Sequence, residues 1–287
     1  MRPRLAWLAL VVGASGCGAS ALEQATRSFT TATADGARAM REQLALSSEI
    51  CRRRGAIDFF AHRLQSDPPW GTPPFWSSWA AERTLPGLAQ TWKQHCAHLA
   101  TSDAVHRDAL DVLGGYAAAL DSVVAGSHYD GADLKSAAED GGKLADALIA
   151  DEATGATVKS FVAGTGEPLA KLASNIMLLV AEHKLSDAVA RAAPDIDVLL
   201  GGFERYTAVA EQQLSDLRGR AGDVLTQLDG SMKGTHDDAA ALRFYEFAQR
   251  SDEEQRVLAG RIEAYRAALA ALRRAHRALV AEVEKKQ

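Results

Sequence analysis

Alternating apolar and polar stretches of the kind that make half-buried strands are missing from this chain. Proline is scarce and uneven: four of the eight prolines fall between Asp67 and Trp76. Elsewhere little interrupts a helix. A basic excess is also lacking, since the net charge is −5, and no nucleic-acid partner is expected. Beyond the amino terminus, apolar runs such as Ile176 to Ala181 reach six residues. A membrane-spanning helix needs roughly 20. The common reaction motifs are absent too. There is no His-Glu-x-x-His, no Gly-x-Ser-x-Gly and no phosphate loop; Gly141-Gly142-Lys143-Leu144 lacks the hydroxyl residue and the strand such a loop needs. No Glu-x-x-His pair of the di-iron bundles occurs. These gaps lead to the expectation of a protein that is not an enzyme and carries no cofactor or metal.

What is present begins at the amino terminus. Arg2 and Arg4 precede an apolar run from Leu5 to Val12, and small residues follow from Gly13 to Gly16. That order is the order of a secretory signal peptide. Cys17 comes directly after Ala14-Ser15-Gly16. In this stretch the chain resembles bacterial lipoproteins, although Ala14 stands where leucine is usual. The resemblance implies cleavage before Cys17, a lipid on Cys17 and attachment to a membrane of the cell envelope. Gly18, rather than Asp, after the cysteine implies the outer membrane, facing the periplasm. The competing reading is ordinary cleavage after Ala19-Ser20-Ala21, which would release a soluble periplasmic protein. Residues 1–16 are thus read as signal peptide and 17–287 as one domain.

The domain reads as all-α, an elongated antiparallel bundle of long helices. Leu22, Ala25, Phe29, Ala32, Gly36, Ala39, Gln43, Leu46, Ile50, Arg53, Ile57, Phe60 and Leu64 form one stripe at spacings of three and four. It predicts a single helix about 65 Å long. A second helix is expected from Pro86 to Ala125, its seam running through Leu99, Ser102, His106, Ala109, Leu113, Tyr116 and Leu120, with Ser102 and Asp103 able to cap a break inside it. Seven glycines between 126 and 166 predict shorter or kinked helices. Pro168 is expected to start a further helix, and Pro194 to begin or kink one, with Leu199, Phe203, Tyr206, Ala210, Gln213, Leu217 and Val224 carrying the seam onward. The last seam, Leu258, Ile262, Tyr265, Leu269, Leu272, His276, Leu279 and Val283, alternates four and three without a slip. Ser251 and Glu254 have capping-box spacing.

With Cys17 lipidated, Cys51 and Cys96 remain as one pair. Measured from the hairpin tip they lie about 21 and about 15 Å down their helices, close enough for a disulfide, with two buried thiols as the alternative. His95, Cys96 and His98, with His62 nearby, are metal-ligand types, but the spacing supplies no converging set of four. His183 and His276 fall on apolar seams, where histidines are usually hydrogen-bonded core residues. Residues 103–152 hold three basic and eleven acidic side chains, whereas 255–287 hold eight basic and three acidic. Complementary neighbouring helices would account for that, and so would a basic end facing anionic lipid.

The proline-stiffened loop at 67–80 carries Trp70, Phe75, Trp76 and Trp79. Stiff loops presenting aromatics lose little entropy on binding, so these four are the candidate partner-binding residues; capping the bundle end is the other use. The function expected is a non-enzymatic envelope scaffold or adaptor that binds another envelope protein. The alternatives are a membrane-active bundle that binds or remodels lipid, and an enzyme without a local motif. Homo-oligomerisation stays open, because long seams pair within a chain or between chains.

Overall fold

A computed structural model describes residues 20–66, 86–127, 129, 132–152, 154, 156, 159, 162, 165–182, 184–232 and 238–285. The protein is an all-α bundle, with no strand among the described residues. Its helices are α1 (Ala21–Gln43), α2 (Leu46–Ser66), α3 (Pro86–Ala125), α4 (Ala132–Ala150), α5 (Gly166–Glu182), α6 (Leu185–Met232) and α7 (Asp238–Glu284).

Local chemistry sets several of these boundaries. Ser20 caps α1 reciprocally: its Oγ accepts from the Glu23 amide at 3.3 Å, and its own amide donates to the Glu23 carboxylate at 3.1 Å. Pro86 opens α3 at the position where its missing N–H costs nothing. Gly126, at φ 65°, closes α3 with a paired motif. Its amide donates to Val123 O at 3.3 Å and the Ser127 amide to Ser122 O at 2.9 Å, using carbonyls the helix leaves free.

Side-chain pairs give the directions. Phe29 meets Tyr116, Arg41 meets Asp111 and Cys51 meets Cys96, so α1 and α2 both run antiparallel to α3. Asp108 lies against Gly141 and His98 near Asp151, which turns α4 back along α3. Phe29 also meets His276, while Arg261 reaches Gln43 and Glu49, so α7 descends along α1. Each rod is thus antiparallel to the one before it. Because α7 packs on α1 as well as on α6, the ring of helices closes. Near 1.5 Å per residue, α7 alone is about 70 Å long. The core falls into two apolar clusters: a large one with Phe29, Tyr116, Phe203, Tyr206 and Tyr265 fully buried, and a smaller one where Leu46 and Ile50 of α2 meet Leu214, Leu217, Leu258 and Ile262.

The expected single helix from Leu22 to Leu64 is broken. Leu44 leaves the helical region and Ala45 takes φ 79°, so α1 stops and α2 restarts one turn later. Packing explains the gain. α1 lies on α7 and α3, whereas α2 lies on α3 and α6 with only brief contact to α7, and a straight rod would keep one set of neighbours. The stripe on α1 also differs from the expected one. Thr26, Thr33 and Met40 are buried where the pattern pointed to Ala25, Ala32 and Ala39. Thr26 is tolerated inside because its hydroxyl donates to Leu22 O at 2.8 Å.

Three other expectations change. Ser102 and Asp103 cap no break; α3 is continuous through them and both are buried. Pro194 lies inside α6, and Pro168 is the third residue of α5 rather than its first. Ser251 and Glu254 sit in the middle of α7, where Ser251 accepts from Gln255 and Glu254 pairs with Arg53. The last seam is buried throughout, from Leu258 to Val283.

Candidate functional site

The largest concentration of buried polar chemistry surrounds the restart of α2. Asp103 of α3 is 2% exposed. The Tyr206 hydroxyl of α6 donates to its Oδ1 at 2.9 Å. Tyr265 of α7 lies against Tyr206 with ring centroids 5.5 Å apart, and His106 of α3 lies on the other side at 4.6 Å. Ser47 and Ser48, in the first turn of α2, complete the knot and are also buried.

This arrangement has a structural logic. A helix start leaves amide groups without intrahelical acceptors, and those near Ser48 point toward the Asp103 carboxyl. A carboxylate there is favoured by the helix dipole even without a full hydrogen bond. Asp103 therefore serves as a cap supplied from a neighbouring helix. Burial nevertheless dominates and raises its pKa, against the lowering effects of Ser48, Tyr206 and Arg107. Burial raises the Tyr206 hydroxyl well above its ordinary value, reinforced by the Asp103 charge. His106 is driven down to about 4 by burial, although the Ser102 and Gly202 carbonyls favour its charged form. Its Nδ1 lies 2.9 Å from Ser102 O, a carbonyl that accepts from a protonated Nδ1. Among the described residues, Asp103 Oδ2, Ser102 Oγ and Tyr265 Oη make no well-aligned hydrogen bond. Groups so enclosed order a helix junction; none presents itself to a substrate.

The cysteine pair lies one step along the same helices. Cys51 and Cys96 are joined at 2.15 Å, with Cα atoms 5.6 Å apart. Gly55 makes room beside them: a Cβ there would meet Trp92 at 3.1 Å. Arg54 stands over the Trp92 ring at 5.8 Å. Cys96 is thereby committed to Cys51, and His98 Nε2 lies 3.1 Å from Asp151 Oδ2. Among the described residues no group of three or more His, Cys, Asp or Glu converges for a metal. His95 is lowered by burial, then by His98 and Arg54. At the other end of the bundle, His276 is 1% exposed against Phe29, with Nδ1 3.4 Å from Asp197 Oδ1 and neither ring nitrogen in a well-aligned hydrogen bond.

The charge asymmetry finds partners, but not the expected ones. Basic α7 pairs with acids of α6 and α2: Arg266 with Glu211, Arg273 with Glu204 and Arg261 with Glu49. It does not lie against the acidic stretch of α3 and α4. No helix among the described residues is long and apolar enough to cross a membrane. A shallow groove of about 270 Å³ between α2, α6 and α7 is lined by Arg53, Ile57, Leu217, Phe247 and Glu254.

Cys17, Trp70, Phe75, Trp76, Trp79 and His183 lie outside the described residues. Sequence reasoning missed the knot because its members come from four helices and Asp103 looked like a local cap. The available signal was that Ser102, His106, Tyr206 and Tyr265 all fall on predicted seams. No family model, curated protein or solved structure matches the chain.

Proposed function

We propose that the protein is a non-enzymatic lipoprotein of the bacterial cell envelope, a helical scaffold or protein-binding adaptor. A lipid on Cys17 holds it to the outer membrane, facing the periplasm. The observation that carries this reading is the cap of α1. Cleavage before Cys17 leaves the Ser20–Glu23 capping box whole. Cleavage after Ala21 would remove Ser20 and put a charged amino group at the start of α1, against the helix dipole. Losing the cap would cost about 1 kcal/mol. It would also leave Leu22, now buried in the core, as the terminal residue. The bundle therefore favours the anchored form over the soluble one.

The fold suits a spacer. α1 starts four residues beyond Cys17, and α1 with α2 follows α3 along its length of about 60 Å. α2 ends at Ser66, at the end of the bundle away from the start of α1, and residues 67–80 follow it in sequence. Partner binding through Trp70, Phe75, Trp76 and Trp79 is assigned to this loop on its composition. Cross-linking in intact cells followed by mass spectrometry tests the adaptor role. The triple substitution Trp70→Ala, Trp76→Ala and Trp79→Ala should remove the cross-linked envelope partner while circular dichroism stays unchanged. An unaltered set of partners would take binding away from the loop.

A further inference from the structure

α7 has two seams. The inner one packs on α1 and α6, while the opposite face is exposed among the described residues, with Ala271 half-buried. From Val257 the outer series runs Gly260, Ala264, Ala267 and Ala271, then Arg274, Ala278 and Ala281, at the same spacings of three and four. Val257 is 58% exposed. A Cβ added at Gly260 would meet nothing within 4 Å. Residues this small let two helices approach to about 8 Å.

The charges beside this seam say what covers it. Along its α6 edge, at seven-residue intervals, stand Arg256, Glu263, Ala270, Arg277 and Glu284, all exposed. Their signs read plus, minus, neutral, plus, minus, which is antisymmetric about Ala270. In an antiparallel helix pair, flanking positions of this type face one another across the interface. Setting Ala267 against Ala271 of a second copy brings Arg256 opposite Glu284 and Glu263 opposite Arg277, each twice by the two-fold axis. A parallel pair would instead stack Arg274 on its own copy. Glu263 and Arg277 are about 21 Å apart along one helix, so they cannot satisfy each other within a chain. Glu263, Arg277 and Glu284 have no other ion pair among the described residues, and Arg256 has only Asp252 on its own helix.

We propose that this face is a self-association surface: a second copy of the chain docks on it, α7 against α7, antiparallel about Ala270. The interface is isologous, as a two-fold dimer requires. Its alanine seam and exposed ion pairs make it a weak, concentration-dependent contact.

Sedimentation of the full chain carrying Cys17→Ser, so that no lipid drives association, tests the proposal. A monomer–dimer equilibrium is expected. Glu263→Arg alone, or Arg277→Glu alone, should weaken it by about tenfold, because each places like charges opposite twice. Combining Glu263→Arg with Arg277→Glu should restore it, since the exchanged charges again face each other. A monomer at every concentration would overturn the proposal. So would a dimer that ignores the single substitutions, or a double variant no stronger than the singles.

Discussion

His106 and Asp103 lie in one buried knot and answer acid in opposite directions. The Asp103 pKa is raised, so the folded protein favours its neutral form, and acidification relieves a cost there. The His106 pKa is lowered to about 4, so its stabilising contribution is whole above pH 6.5 and drains away as pH falls toward 4. Between pH 7 and 4.5 the histidine contributes a loss of about 2–3 kcal/mol. His276, also lowered by burial, acts in the same sense. His106→Phe keeps an aromatic ring between Phe203 and Tyr206 and removes the titration. Urea unfolding at the two pH values should show the variant losing about 2–3 kcal/mol less than the parent; equal losses would contradict the assignment. Periodicity in the sequence marked His106 as inward-facing. It did not show that the ring meets two carbonyls and Tyr206, because those contacts come partly from α6.

The break between α1 and α2 is the element that pattern reading missed. Alanine at position 45 is a strong helix former, no proline or glycine flags the site, and the apolar stripe keeps its phase across it. Only the change of neighbours, from α7 below to α6 above, and the Asp103 charge waiting at the new helix start require it. Ser47 and Ser48, poor interior residues but good first-turn ones, were the legible hint. The left-handed backbone of Ala45 gives the break a sign that can be measured. In a continuous helix Ala45→Gly would destabilise by about 1 kcal/mol. At φ 79° it should instead stabilise by about 0.5 kcal/mol, since relief of the Cβ clash exceeds the added chain entropy. Thermal unfolding of the two proteins decides between these signs. The other long helices were readable from sequence because their seams are long and unbroken: every inner residue of α7 from Leu258 to Val283 is buried as its spacing implied.

At the scale of the whole molecule, a closed ring of rods is clasped between α2 and α3 by Cys51–Cys96 and begins with the capped start of α1. In the chain-entropy model the clasp, closing a loop of more than forty residues, contributes about 4 kcal/mol. A bond of that kind persists in an oxidising compartment such as the periplasm. The proposed antiparallel α7 pair would set the two amino termini at opposite ends of the dimer, so copies anchored as proposed would meet across facing surfaces or lie flat on one. The proposed anchor depends on which residue begins the processed chain. Intact-mass spectrometry of the protein recovered from cell envelopes addresses that directly. The account predicts a chain beginning at Cys17 and carrying the added mass of acyl chains, lost in Cys17→Ser. A soluble periplasmic chain of unmodified mass beginning at Leu22 would contradict it.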